Sequence, residues 1–449
     1  MEQARSHNLI NYQGSSGAQS GTKLFTMCSW LYFIALFLLP DDCGFYLGAL
    51  FSAKRIMLFV CYALVLFNKK YLNDFVNCIR QVKVLNVLVI LYMGVRIFVA
   101  IYRKSLNSFT NEFIDGVLVV YMIYYVLKKH IKVEKFLEFI EITLYIICIA
   151  GLLEYFLGFN VFNLFATIGV RISPIRAGFT RITGNCHHPI LVGVYVTILF
   201  FITCMDVEKK SIYLFRRPWL FGLSAVTVFL SGSRGPIGIF LASVILCVLL
   251  SKKNEMIKSI FILIIITLIF AAIVVVTIKT EFGRYIMRMI TAAIDGVFGT
   301  TLSYAYGGES IAASTAYRKA LNKVFKLTYF NPLVGRGFDY NFSVVIDGIW
   351  LQSCDSSYVM TYVQWAYPGL IMLFAFFALI IIIGLVGMFK YKNRAFAALI
   401  VIAIGYACNI YTVAFMGSFM YMWMVMALAF ILINREKQTK EIENEQSNN

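Results

Sequence analysis

The chain has 449 residues, 60% of them hydrophobic and only 14% charged, and a formal net charge of +17. Soluble domains carry about 25% charged residues, so this composition, with a mean hydropathy of +0.78, excludes an ordinary soluble domain. It points to an all-α polytopic membrane protein. A transmembrane β-barrel is excluded because barrel strands alternate apolar and polar with period two. Nucleic acid is excluded as a partner because the basic residues flank apolar runs and form no separate basic domain.

Residues 1–22 are polar, contain Gly14-Ser15-Ser16-Gly17, and read as a disordered cytoplasmic tail without a cleavable signal peptide. Apolar stretches follow near 24–39, 45–67, 84–102, 113–127, 136–158, 189–205, 218–232, 235–251, 257–278, 366–389, 395–413 and 415–434, which makes about twelve transmembrane helices. Lys54-Arg55 interrupts the second, whose helix can start as late as Ile56. The expected organisation is a tail over 1–22, nine membrane helices over 23–278, a long outer loop over 279–365, three further helices over 366–434, and a cytoplasmic tail over 435–449. No repeat of about 20–50 residues marks a solenoid. The ten cysteines fall mostly inside apolar runs, where they act as small hydrophobes.

Lysine sets the orientation. Alternate loops carry Lys69-Lys70, Lys128-Lys129, Lys209-Lys210, Lys252-Lys253, and Lys390 with Lys392, as cytoplasmic loops do by the positive-inside rule. Arg103-Lys104 falls outside on this scheme and runs against it. Arginine shows a different distribution. Segment 159–187 holds Arg171, Arg176 and Arg181 without an acidic residue, and the long loop holds Arg284, Arg288, Arg318 and Arg336. Arginine presents a planar fork of donors that pairs with phosphate bidentately and stays protonated. An outer pocket for phosphate or pyrophosphate accounts for this pattern.

Four outward clusters carry the candidate residues. The first, Arg181-Ile-Thr-Gly184-Asn185-Cys-His187-His188-Pro189, offers Arg181 to a phosphate or sugar, with His187 or His188 as hydrogen-bond partners. Its bland alternative is a histidine pair resting at the membrane interface. A metal site is disfavoured, since adjacent histidines rarely converge on one ion.

The second is the turn Ser231-Gly232-Ser233-Arg234-Gly235, between apolar runs of about 15 residues that span roughly 22 Å as helix. The hydrocarbon layer is about 30 Å thick, so Arg234 lies near its boundary. Glycines permit close backbone approach to a ligand, and the next helix starts with free N–H donors. The alternative is an arginine that snorkels to the headgroups. The third cluster is Tyr317-Arg318, on a helix predicted within 316–327 from the spacing of Tyr317, Leu321, Val324 and Phe325. A solvated loop arginine is the ordinary reading there. The fourth runs from Asn331-Pro332-Leu333-Val334-Gly335-Arg336-Gly337-Phe338 to Asp355-Ser356-Ser357-Tyr358. Asp355 is a candidate base or sugar ligand, or else Asp355 or Ser356 merely caps the following helix. The loop holding the last two clusters has roughly 85 residues, a length usual for lids and binding elements rather than connectors.

In order and topology these clusters resemble the O-antigen ligase and polymerase superfamily over roughly residues 165–435. That superfamily comprises membrane glycosyltransferases acting on polyprenyl-pyrophosphate glycans. The resemblance implies a GT-C-like fold with a long, partly helical periplasmic or extracellular loop. It implies Arg234 and Arg318 as the family's two prominent arginines. The ligases usually place histidine where this chain has Asp355, which favours a Wzy-type polymerase. On this reading Arg234, Arg318 and Asp355 are catalytic, while Arg171, Arg176, Arg181, His187, His188, Ser233, Arg336 and Tyr358 bind substrate. No cofactor and no metal are implied.

The implied substrate is an undecaprenyl-pyrophosphate-linked oligosaccharide. The implied setting is the bacterial cytoplasmic membrane, with the active site on its outer face, membrane lipid around it, and a chain-length regulator as a partner. Two alternatives stand beside polymerisation. One is a ligase transferring glycan to lipid A-core. The other is a flippase or exporter, against which count the absence of an internal repeat and the clustering of charge away from the bilayer midplane.

Overall fold

A computed structural model describes residues 19–47, 50–104, 107–176, 179–298, 300–307, 312–411, 413 and 419–447. The tail read over residues 1–22 lies outside the described residues as far as residue 18. An apolar medium leaves backbone N–H and C=O groups no water to bond, so helices dominate. They are α1 (Gln19–Phe37), α2 (Ala53–Leu66), α3 (Lys69–Gln81), α4 (Lys83–Arg103), α5 (Asn107–Glu112), α6 (Val119–Lys129), α7 (Val133–Leu157) and α8 (Pro189–Thr203). After them come α9 (Pro218–Leu230), α10 (Arg234–Leu250), α11 (Lys253–Thr277), α12 (Glu281–Phe298), α13 (Ala312–Asn322), α14 (Ser357–Phe389), α15 (Ala397–Tyr411) and α16 (Phe419–Ser447). A π-helical turn, Phe113–Leu118, joins α5 to α6.

Sheet is limited to four antiparallel ribbons. They pair β1 (Gly44–Tyr46) with β2 (Leu50–Ser52), β3 (Ile175–Arg176) with β4 (Phe179–Thr180), β5 (Met205–Asp206) with β6 (Ser211–Ile212), and β7 (Val344–Ile346) with β8 (Ile349–Leu351).

Among the described residues, seven helical stretches are long and apolar enough to cross a bilayer. The α2–α3 pair adds an eighth if it counts as one broken span, bent by 107°. Four apolar helices, Lys23–Phe37, Pro189–Thr203, Pro218–Leu230 and Arg234–Leu250, are shorter. Helix α11 is covered hardly at all by the rest of the protein, as suits a helix in lipid.

The loops sort to two ends. At one end Lys210 pairs with Glu436, Lys252 donates to the Lys209 carbonyl, Arg435 pairs with Glu134, and Arg394 donates to the Leu250 and Ser251 carbonyls. At the other, Asn185 Nδ2 donates to the Phe37 carbonyl, Arg171 pairs with Asp42, and Arg103 Nε donates to the Gly335 carbonyl. The lysine-rich loops therefore gather opposite the arginine-rich ones.

Several boundaries differ from the sequence reading, each for a local reason. Helix α2 begins at Ala53 because Lys54 and Arg55 find carboxylates, Asp41 at 2.5 Å and Asp115 at 2.9 Å. Helix α3 lies where the sequence predicts a loop; the Asn68 side chain caps it by accepting from Lys70 N and Tyr71 N. It buries Tyr71 and Cys78 on one face. Helix α16 continues through residues 435–447 because buried Glu436 accepts from Asn393 Nδ2 at 2.7 Å and from Lys210.

Helices α14 and α15 meet over glycine. A Cβ on Gly387 would lie 2.1 Å from the Phe396 ring, and one on Gly384 would lie 2.5 Å from Ile400. Small residues let membrane helices approach in this way. Where α4, α14 and α16 meet, the Phe376 and Trp423 rings pack edge to face at 4.7 Å, with Tyr92 on Trp423 at 5.3 Å. Gly387→Ala is expected to destabilise the protein by about 1–3 kcal/mol through overpacking, read as a lower midpoint of thermal unfolding in detergent. Gly94→Ala, with nothing within 4 Å of its new methyl, should leave the midpoint unchanged or raised.

Candidate functional site

The 159–188 segment is held from beneath by one carboxylate. Glu154, buried in the last turn of α7, accepts from Thr183 N (2.9 Å), Thr183 Oγ1 (2.9 Å), Gly184 N (2.8 Å) and Ser173 Oγ (2.5 Å). Asn160 Nδ2 adds bonds to Thr183 Oγ1 and the Gly184 carbonyl, each 2.8 Å.

Arg181 is thereby fixed two residues before Thr183 and clasps the neighbouring turn. Its Nε donates to the Ser231 carbonyl at 3.0 Å and its guanidinium to Ser233 Oγ at 2.5 Å. Gly232 has φ +59°, and a Cβ there would come within 3.0 Å of Arg181 Cγ and 3.2 Å of the Tyr285 hydroxyl. Ser233 is buried at the N-cap position of α10, and half-buried Arg234 is its first helical residue. The turn is thus gripped by Arg181 and opens a helix whose first residue is Arg234, and a helix N-terminus is suited to an anion.

His188 caps α8, its Nδ1 accepting from Ile190 N at 3.2 Å. Burial, reinforced by the Arg181 charge, pushes this imidazole below its ordinary pKa. It is therefore neutral at neutral pH, as an acceptor must be. The preference for the neutral form stabilises the fold above the ordinary histidine range and is lost on acidification.

His187 faces the other way, with Nε2 at 3.4 Å from Asp42 Oδ1 and 3.8 Å from Asp41 Oδ2. Arg171 is buried and committed to Asp42 at 2.6 Å, so it braces the loop rather than reaching outward. Arg176 lies on β3, and its side chain is outside the described residues.

The long loop forms its own apolar cluster with the first part of α14, built on Leu321, Val324, Phe330, Ile346, Leu351 and Tyr362. Arg318 is exposed on α13. Its neighbour Tyr317 is tied to Ser353 by two bonds, Oη to the carbonyl at 2.7 Å and Ser353 N to Oη at 2.9 Å. Ser353 Oγ in turn donates to Asp355 at 2.6 Å. Asp355 is exposed, and Ser356, at the N-cap position of α14, makes no side-chain cap bond. Tyr358 donates to the Ala407 carbonyl at 2.9 Å, tying α14 to α15.

Helix α14 is broken at Ala366 (φ 56°, ψ −160°), just before Pro368. Proline has no N–H for the carbonyl four residues back, which frees Gln364 O. Gly337 N bonds to it at 3.1 Å, Arg336 N bonds to Val363 O at 2.8 Å, and Tyr367 N reaches Pro332 O at 3.1 Å. The Asn331–Phe338 turn is thus docked into the break, with the Arg336 guanidinium exposed and 5.8 Å from the Tyr340 ring centroid.

A charged cavity of about 410 Å³ opens at the arginine end. Asp41, Lys54, Arg55, Glu112, Asp115 and His187 supply its ionisable lining, with Phe338 and Met360 from the long loop and α14. Burial alone would raise the Asp41 carboxyl. The Lys54 ammonium, helped by His187 and Arg171, outweighs this and holds it below the ordinary carboxylate range. That pairing therefore persists at neutral pH and is lost as pH falls through the lowered value. Glu112 accepts from Tyr92 Oη at 2.6 Å, and buried Arg96 donates to the same hydroxyl at 2.5 Å.

The structure therefore brings Arg181, Ser233 and Arg234 to one turn. His187 lies at the cavity with Phe338. Arg318, Arg336 and Asp355 lie on the long-loop cluster. Sequence reading missed Glu154, Asp41, Lys54, Arg55, Glu112 and Asp115. The usable signal was an ionisable residue inside an apolar run, which Lys54, Arg55, Asp115 and Glu154 all are. No protein-family model and no curated protein matches the chain.

Gly335→Ala is expected to undock the long loop, since its Cβ would meet Gln364 O at 2.0 Å. Limited proteolysis should then cut within 331–355 at least several-fold faster than in wild type. Glu154→Ala should cost about 1–3 kcal/mol for each buried amide left unpaired, and Glu154→Gln less, as measured by thermal unfolding.

Proposed function

We propose that this protein is a multi-pass membrane glycosyltransferase that lengthens a surface polysaccharide from an undecaprenyl-pyrophosphate-linked donor. The observation that carries the reading is the Arg181 clasp on the Ser231–Gly235 turn, which sets Arg181 and Arg234 together at the N-terminus of α10. In the proposed reaction a hydroxyl of the acceptor repeat unit attacks the anomeric carbon of the donor sugar. The C–O bond to the pyrophosphate breaks, and undecaprenyl pyrophosphate leaves with the bonding electrons. Arg234 and Arg318, with Arg181, stabilise the charge that grows on it. Preorganised cations contribute most in that role. Asp355 takes the hydroxyl proton.

The topology proposed is twelve crossings. Seven long apolar stretches, the bent α2–α3 pair and four shorter apolar helices supply that number. The lysine end faces the cytoplasm by the positive-inside rule, which puts the arginine end on the outer face, where lipid-linked glycans await polymerisation.

The test uses purified protein reconstituted in vesicles and given lipid-linked repeat units. Arg234→Ala and Arg318→Ala should each lower chain extension about 10²–10³-fold, the usual cost of removing one donor to a developing oxyanion. Undiminished extension by both variants would overturn the assignment, and product found on a core lipid instead of longer lipid-linked chains would replace polymerase with ligase.

A further inference from the structure

The charged cavity plays no part in the leaving-group chemistry above, yet it is built like a binding site. Its volume of about 410 Å³ lies within the range usual for small-molecule pockets, about 300–1,000 Å³. Its polar wall comes from three separate parts of the chain: the Asp41 loop, the start of α2, and the α5–π junction carrying Asn111, Glu112 and Asp115. Single π turns occur frequently at functional sites, and this one, Phe113–Leu118, contributes Asp115 and Gly116 to the lining. Gly116 cannot be larger: a Cβ there would sit 2.5 Å from Trp423 Nε1 on the cavity floor.

Charge selects the occupant. Two cations, Lys54 and Arg55, face three carboxylates, Asp41, Glu112 and Asp115. Both cations are already paired, Lys54 with Asp41 at 2.5 Å and Arg55 with Asp115 through Nε at 2.9 Å. Carboxylates thus outnumber lysine and arginine in the lining by three to two, which leaves no excess of permanent cations for a pyrophosphate. Hydroxyl groups are better served. Ionised carboxylates accept hydrogen bonds and lysine and arginine donate them, so a polyhydroxylated neutral ligand finds partners of both kinds within one wall. Behind the lining, Ser52 Oγ and Trp423 Nε1 are buried and bond to no described residue. Phe338, 43% exposed at the mouth, and Met360 supply apolar surface for the carbon face of a ring.

The cavity also stands beside the arginine turn. His187 reaches into it toward Asp42, while the next residue, His188, caps α8 and feels the charge of Arg181. Consecutive Cα atoms are about 3.8 Å apart, so the chain passes from the cavity lining to the α8 cap within one residue.

We infer that this cavity is a carbohydrate subsite, holding a neutral sugar residue of the glycan while the arginine turn holds the pyrophosphate. The inference rests on the glycan-transfer reading and adds the place where the sugar binds. Asp115, Glu112 and Asn111 take its hydroxyls, and Phe338 covers its apolar face.

Two binding probes separate the subsites without turnover. Methyl glycosides of common hexoses and N-acetylhexosamines are presented to the full-length protein in nanodiscs, and contact is read by saturation-transfer NMR. Inorganic pyrophosphate is titrated in parallel. At least one glycoside should bind wild type. Asn111→Trp, which puts a bulky ring on the exposed wall of the cavity, should weaken that glycoside at least tenfold and leave pyrophosphate unchanged. Phe338→Ala alters only the exposed mouth and guards against misfolding of the first variant; it should weaken the glycoside several-fold. Arg234→Ala should do the opposite, losing pyrophosphate and keeping the glycoside.

Absence of any glycoside contact, or glycoside binding unaltered in both cavity variants, overturns the subsite. Failure of the transfer reading looks different: wild type that binds glycoside through this cavity but never extends a lipid-linked chain.

Discussion

A buried backbone amide or carbonyl left unpaired costs a few kcal/mol, and the arginine end is organised around meeting that demand at two irregular places. Pro368 denies Gln364 O its usual partner, and Ala366 holds a conformation reserved almost wholly for glycine (φ 56°, ψ −160°). The long loop supplies the replacement donors from Arg336 and Gly337. Gly335 allows the approach, since any side chain there would collide with Gln364 O. At the other place Glu154 receives the amides of Thr183 and Gly184 that the turn leaves without backbone partners. Both outer segments are thereby seated on the helix bundle by their main chains.

Seating the segments in this way fixes where their side chains fall. Docking of the Asn331–Phe338 turn brings Phe338 to the cavity mouth. The Glu154 clasp presents Arg181 to Ser231 and Ser233 on one side and, six residues later, His187 to Asp42 on the other. Charge burial follows the same logic. A lone buried charge is expensive, and the basic residues near the cavity have carboxylate or polarisable partners. Arg171 pairs with Asp42 and Arg55 with Asp115. Arg96 lies over Tyr92 at 3.5 Å and near Trp365 at 4.3 Å.

Much of this was legible in the sequence because it is written in periodicity and composition. The apolar runs anticipated nearly every long helix, and the contrast between lysine and arginine loops anticipated which loops share an end. The break at Ala366 coincides with the boundary drawn at residue 366, although helix precedes it from Ser357. What escaped was set by pairing at a distance. Nothing local to Lys54-Arg55 reveals that Asp41 and Asp115 wait for them, so a helix start that looked delayed is not. Amphipathic α3 and the helical end of α16 were read as loop and tail because polarity alone does not distinguish a solvated helix from coil. Arg171 looked like a ligand-binding cation because its segment has no acid; its partner, Asp42, lies 129 positions upstream.

The same limit explains why the arginines drew attention and the cavity did not. A phosphate site made of arginine declares itself as an excess of one charge in one segment. A site for a neutral ligand carries both signs of charge, and its halves are contributed by elements far apart in the chain. Asp41 and Glu112 come from the first quarter of the protein, Phe338 and Met360 from the last third, and Trp423 from the final helix. Only folding brings them together. The adjacent histidines divide along the same line, since His187 lines the cavity and His188 caps α8. The proposed glycan transfer calls for those two chemistries together, a neutral ring joined directly to a pyrophosphate.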